Sequence, residues 1–144
     1  RFYDPYVNKF PTNFQKIKDL SKLLGLSDIV SIHVPLNKQT NNLLGERELN
    51  LLKDSYLINT SRGQVVDPKA LIFALENKIL KGVALDVIHN EHDFINKKTN
   101  ELIEYSKKNS NLIITPHIGG TTFESVEKTD LYILKQYFLS KKLI

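Results

Sequence analysis

The stretch that decides the fold is Ser55-Tyr56-Leu57-Ile58-Asn59-Thr60-Ser61-Arg62-Gly63-Gln64-Val65-Val66-Asp67-Pro68, followed at Gly82 by Gly82-Val83-Ala84-Leu85-Asp86-Val87. Ser55 to Thr60 is short, apolar and rich in strand-forming residues, so it reads as a buried strand. Asp67 is a good helix N-cap and Pro68 suits the first helical position. Ala70, Leu71, Ala74 and Leu75 then make an apolar stripe at helical spacing, and Gly82 to Val87 returns to a strand pattern. A strand, a helix and a second strand in this order imply parallel pairing through a right-handed crossover.

Working outward, the same alternation covers most of the 144 residues. Phe2-Tyr3 ends a short strand at Asp4-Pro5, and Asn13 to Leu24 has helical spacing up to Gly25. Ile29 to Val34 reads as a strand ended by Pro35, and Gly45 to Leu52 as a short helix. Thr99 to Lys108 predicts a peripheral helix, Leu112 to Thr115 a last strand, and Thr122 to Leu139 a long helix. The expected fold class is α/β, a doubly wound parallel sheet of Rossmann-like form. Ligands of such sheets bind beyond the carboxyl ends of the strands. Asp4, His33, Thr60-Ser61-Arg62, Asp86 and His117 all sit at strand ends, and five polar strand ends are hard to explain by folding alone.

Composition narrows the function classes. Apolar and charged fractions are ordinary for a globular protein. No apolar run approaches membrane-spanning length and no basic-then-apolar leader opens the chain, so neither a membrane partner nor a secretory route is expected. Cysteine is absent, which excludes disulfides and thiolate metal sites within the chain and fits a cytoplasmic protein. The net charge of +4 comes mostly from lysines scattered among acids. No aromatic-and-arginine face accompanies it, so no nucleic-acid partner is expected.

Arginine is scarce, with only Arg1, Arg47 and Arg62 in the chain. The planar fork of Arg62 can hold a carboxylate by two parallel hydrogen bonds and polarise an adjacent carbonyl, and a 2-oxo acid offers both groups side by side. His117 precedes Gly119 and Gly120, which let a ligand approach the backbone closely. Imidazole as a side-chain type can give or take the proton of a carbonyl–hydroxyl interconversion near neutral pH.

Three segments carry a family resemblance: Asn59 to Asp67, Gly82 to Val87 with Glu91, and Thr115-Pro116-His117-Ile118-Gly119-Gly120-Thr121-Thr122-Phe123-Glu124. With Ser31 to Leu36 and Thr40 they resemble the D-isomer-specific 2-hydroxyacid dehydrogenases, in that family's order and spacing. The resemblance implies catalytic roles for Arg62, Glu91 and His117, with Glu91 hydrogen-bonded to His117 and steadying its charged form. Glu91 lies five residues after Asp86, as the family's acid does. The aromatic and the proline that usually flank that acid are missing, and Asp93 is the competing choice. His89 and His92 with Glu91 and Asp93 could suggest a metal site, but solvated loop histidines explain them better and no metal is expected.

The resemblance further implies NAD as cofactor. Asp4, followed by Pro5, would accept hydrogen bonds from both hydroxyls of the adenosine ribose and repel a 2′-phosphate. His33, Val34 and Pro35 would line the pyrophosphate and nicotinamide-ribose wall, with Thr40 nearby. Thr60, Ser61 and Asp86 would face the nicotinamide, Asp86 toward its carboxamide, and Gly119 and Gly120 would close over the ring. A homodimer is the family expectation, and D-3-phosphoglycerate the first-choice substrate.

The glycine-rich turn that normally cradles the pyrophosphate is not found, because Gly25, Gly45 and Gly63 stand alone. Residues 1–144 are therefore expected to be a partial NAD-binding domain. The first strand, that turn and the substrate domain would lie outside the sequence. The rival readings are a non-enzymatic NAD-binding interaction protein of corepressor type, and an inactive piece of a dehydrogenase.

Overall fold

The computed structural model describes residues 1–91 and 99–141. Its centre is a four-stranded, all-parallel sheet in the order β1-β2-β3-β4, with β1 Ile29–Ile32, β2 Ser55–Asn59, β3 Leu80–Leu85 and β4 Leu112–Ile114. The register runs Val30 beside Leu57, Leu57 beside Val83, and Val83 beside Leu112. Strand order follows chain order, so each connection advances the sheet by one position. Connections of this kind must cross a face of the sheet, and they carry helices α2 Glu46–Leu49, α3 Pro68–Glu76 and α4 Glu101–Ser106.

The core forms where these helices meet one face. Leu57, Val83, Leu85 and Leu112 pack there with Leu49, Leu71, Leu75 and Leu102, all nearly or fully buried. Helix α3 begins as its sequence dictates: the Asp67 side chain accepts the Ala70 N–H at 2.9 Å, and Pro68 occupies the first turn. On the opposite face of the sheet Ile29, Tyr56 and Ile113 are 61%, 49% and 62% exposed. Helix α5, Phe123–Ser140, has no buried residue either. No helix among the described residues is long and apolar enough to cross a membrane.

One expected helix is much shorter than its spacing suggests. Helix α1 runs only Leu20–Gly25, because Gln15 to Ile17 pair with the start of the chain. The Phe2 N–H donates to the Gln15 carbonyl at 3.0 Å, and the Ile17 N–H donates to the Phe2 carbonyl at 2.8 Å. Residues held extended in this way cannot also close helical turns, so the helix starts at Asp19, whose side chain accepts the Lys22 N–H. Phe2 is correspondingly a single bridge and not a strand end. The third strand starts and stops two residues earlier than Gly82 to Val87, at Leu80–Leu85. The remaining elements differ from expectation only at their ends.

Candidate active site

Because the four strands are parallel, their carboxyl ends share one edge of the sheet. After β2 the chain turns through Thr60, Ser61 and Arg62 into a short 3-10 turn, Gly63–Val65. This turn lies hard against the segment leaving β3: a β-carbon placed on Gly63 would be 2.0 Å from the Ile88 carbonyl carbon and 2.4 Å from the His89 nitrogen. Arg62 is therefore held next to the chain that leads to Glu91. Its guanidinium is exposed, and Nη1 donates to the Ser61 carbonyl at 2.6 Å.

After β4 the chain forms the loop Thr115 to Thr121. His117 sits there in the left-handed region, at φ 54°, a conformation uncommon outside glycine. Its Nδ1 lies 3.1 Å from each carboxylate oxygen of Glu91. That contact favours the tautomer with the proton on Nδ1, leaving Nε2 without a protein partner among the described residues. Glu91 is the more sheltered of the pair, with 23% of its side chain exposed against 47% for His117. A hollow of about 530 Å³ borders both residues, lined also by Asp86, Ile88, Ile103 and Pro116.

Asp86, the first residue after β3, fixes this loop. One carboxylate oxygen accepts the Thr115 hydroxyl and the Ile118 N–H, and the other accepts the Gly119 N–H at 2.8 Å. Partial burial pushes the Asp86 carboxyl upward. The Thr115 hydroxyl, the Gly119 and Ile118 N–H groups and the nearby His117 pull it down further, so it ends below its ordinary value. A carboxyl lowered by folding stabilises the loop fully above the unfolded pKa, and loses that contribution as pH falls through the folded one. The Ile118 and Gly119 amides should therefore stay protected at neutral pH and lose protection below about pH 4. Amide exchange followed by NMR against pH checks this, and protection that persists in the acid range would count against the clamp.

The rest of this edge is built from the start of the chain and the loop after β1. Asp4 Oδ1 accepts the Tyr6 and Val7 N–H groups at 2.8 and 3.1 Å, while Oδ2 has no partner among the described residues. The Tyr6 hydroxyl donates to the Gln39 side chain at 2.7 Å, joining this turn to the loop after β1. In that loop the Thr40 hydroxyl donates to the Pro35 carbonyl at 2.6 Å, and His33 Nε2 lies 2.8 Å from the Ser31 hydroxyl. His33, Pro35 and Thr60 are exposed along the edge, with Pro5 exposed beside Asp4 and Val34 half-buried. Space around Gly120 is open. A carboxylate oxygen for ribose hydroxyls, exposed strand-end side chains and unobstructed glycine backbone form a donor and acceptor set that fits a dinucleotide.

The structure thus brings Glu91 to His117, and Asp86 to the His117 loop. It also brings the Asp4 turn to the Thr40 loop. It places Arg62 on the same edge but, among the described residues, joins it by no hydrogen bond or ion pair to Glu91 or His117. His92 and Asp93 lie outside the described residues. Two contributors were missed in the sequence: Thr115, which braces Asp86, and Asn59, whose side chain braces the Arg62 turn. An asparagine closing the strand directly before Thr60-Ser61-Arg62 was the available signal.

Comparison with known proteins places the chain in a family. Residues 1–119 match the family model described as "D-isomer specific 2-hydroxyacid dehydrogenase, NAD binding domain". The chain is 44% identical over 135 residues to D-3-phosphoglycerate dehydrogenase of Escherichia coli strain K12, covering 92% of this chain and 32% of that protein. It is also 44% identical over 110 residues to glyoxylate reductase of Thermococcus litoralis, covering 76% and 31%. A solved D-isomer specific 2-hydroxyacid dehydrogenase from Lactobacillus delbrueckii ssp. bulgaricus, in its NAD-complexed form, superposes with a TM-score of 0.78 at 30% identity, covering 97% of this chain and 45% of that one. The chain spans about a third of the length of these curated relatives. It belongs to the D-isomer specific 2-hydroxyacid dehydrogenase family, its residues 1–119 matching that family's NAD-binding domain.

Proposed function

We propose that these residues supply the cofactor side and the proton-transfer side of an enzyme that interconverts 2-hydroxy and 2-oxo acids with NAD(H). The observation that carries this reading is the Glu91–His117 pair, set beside a hollow on the same sheet edge as Arg62. NAD(H), held along this edge by the residues named below, would supply the hydride in reduction and accept it in oxidation. Arg62 grips the substrate carboxylate with its fork and polarises the neighbouring carbonyl oxygen. Nε2 of His117 gives its proton to that oxygen during reduction and takes it back during oxidation. Glu91 holds Nδ1, which fixes the ring and offsets its positive charge.

Asp4 binds the adenosine ribose hydroxyls through its free oxygen, which favours NAD over NADP. His33, Val34, Pro35 and Thr40 line the pyrophosphate and nicotinamide-ribose wall, and Thr60, Ser61, Asp86, Gly119 and Gly120 line the nicotinamide end. These residues work with a separate substrate domain in a cytoplasmic homodimer. D-3-phosphoglycerate is the favoured substrate, on the strength of the segment Asn111 to Glu124 and the similarity to D-3-phosphoglycerate dehydrogenase.

The test is NADH oxidation by the intact gene product against 3-phosphohydroxypyruvate, glyoxylate and pyruvate. The expected result is turnover with at least one, fastest with 3-phosphohydroxypyruvate. NADH binding without turnover of any 2-oxo acid would overturn the enzymatic reading and favour an NAD-binding interaction protein.

A further inference from the structure

Asn59 closes β2 and is 0% exposed. A side-chain amide removed from water must satisfy both its donor and its acceptor ends. Here both ends go to one turn. Oδ1 accepts the Ser61 N–H at 3.0 Å and the Ser61 hydroxyl at 2.9 Å, and Nδ2 donates to the Arg62 carbonyl at 3.0 Å. The main-chain carbonyl of Asn59 also accepts the Asp86 N–H at 2.9 Å, which ties the turn to the residue that clamps the His117 loop. Leu57, on the same strand and equally buried, shows what packing alone selects at such a position.

Arg62 depends on this arrangement because little else holds it. Among the described residues its guanidinium bonds only to the neighbouring Ser61 carbonyl. The direction in which the side chain leaves the sheet edge is therefore set by its main chain, which is extended at φ −146° and ψ 139°. Those dihedrals lie between the Ser61 N–H and the Arg62 carbonyl, the two main-chain groups that Asn59 grips. We propose that Asn59 is a positioning residue for Arg62, acting on substrate through the guanidinium and not by contact. This rests on the reading of Arg62 as the carboxylate-binding group.

The test uses Asn59→Thr in the intact gene product. Threonine replaces the two separated amide atoms with one oxygen on a shorter stem, so the Ser61 and Arg62 contacts are not both kept at their present geometry. Asn59→Asp is the second variant, keeping the acceptor and removing the donor. Since a misplacement of about 1 Å costs on the order of a hundredfold in rate, kcat/KM for the 2-oxo acid should fall about 30- to 100-fold. The NADH Kd should change by less than about threefold. In an Arg62→Lys background the same substitution should cost less than about threefold, because residues acting as one unit are not additive. A loss of equal size in both backgrounds, or an equal weakening of NADH, would mean that Asn59 merely supports the fold and would overturn the proposal. Should the unsubstituted protein reduce no 2-oxo acid, the proposed function is what has failed. NMR shifts then decide the positioning claim: changes confined to Ser61, Arg62 and Gly63 on substitution support it, and unchanged shifts at those residues overturn it.

Discussion

Gly63→Ala is expected to leave the protein without a stable native state. The added β-carbon would stand 2.0 to 2.4 Å from main-chain atoms of Ile88 and His89, well inside any tolerable contact. A flexible side-chain tip could swing away, but these are backbone atoms of a segment whose Ile88 side chain is buried in the core. On the other side Val65 is fully buried, and the Val66 N–H donates to the Gly63 carbonyl. Neither wall can retreat without opening the core. The position requires glycine for space, not for conformation, since its φ is not positive. A loss of about 4 kcal/mol or more is expected, an exceptional value for one substitution and comparable to the whole stability of many domains. Gly120→Ala is the control: its β-carbon would meet nothing within 4 Å, and stability should stay within about 0.5 kcal/mol. Urea denaturation of the two variants side by side reads the difference. Similar midpoints would show that the close approach at Gly63 is wrong.

Arg62→Ala should be the most damaging change to turnover that leaves the fold intact. The side chain is exposed and bonds only to its neighbour's carbonyl among the described residues, so the fold loses little. In the proposed reaction the same side chain makes two charge-assisted hydrogen bonds to the substrate carboxylate, each worth about 1.5 to 3 kcal/mol. A drop in kcat/KM of about a thousandfold follows, equivalent to about 4 kcal/mol of transition-state stabilisation. NADH affinity should hold within about threefold. Arg62→Lys should recover only part of the loss, because an ammonium supplies charge without the planar fork. Steady-state kinetics with separate NADH titration checks both parts. Turnover within tenfold of the parent protein would remove Arg62 from the site.

Much of this architecture is legible in the sequence because local signals and burial point the same way. Asp67-Pro68 starts a helix in any context, and runs such as Leu57-Ile58 or Val83-Ala84-Leu85 are too apolar to lie anywhere but in the sheet. Reading fails where a distant partner overrules the local pattern. Phe14, Ile17, Leu20 and Leu24 have helical spacing, yet Phe2 pairs with the chain at Gln15 and Ile17 and the helix shrinks to its second half. The site shows the same division. Arg62 and His117 stand out because their chemistry is unusual beside glycines after strands. The bracing roles of Asn59 and Thr115 depend on where three bonds converge, and no spacing rule encodes that. Glu91 is intermediate: spacing alone selects it, and the contact with His117 Nδ1 agrees.

The strictly consecutive strand order has an evolutionary consequence. Because β1 to β4 lie side by side in the order in which they are encoded, His33, Arg62, Asp86 and His117 succeed one another along the gene as they do along the sheet edge. Recombination between β2 and β3 would therefore exchange Asp86, Glu91 and His117 as an intact block while leaving Arg62 and its asparagine brace behind. The β2–β3 pairing, from Ser55 beside Leu80 to Asn59 beside Leu85, and the close approach of Gly63 to Ile88 would have to match between the parental genes. A fold laid out in this way lets the block that carries Asp86, Glu91 and His117 and the block that carries Arg62 be inherited separately.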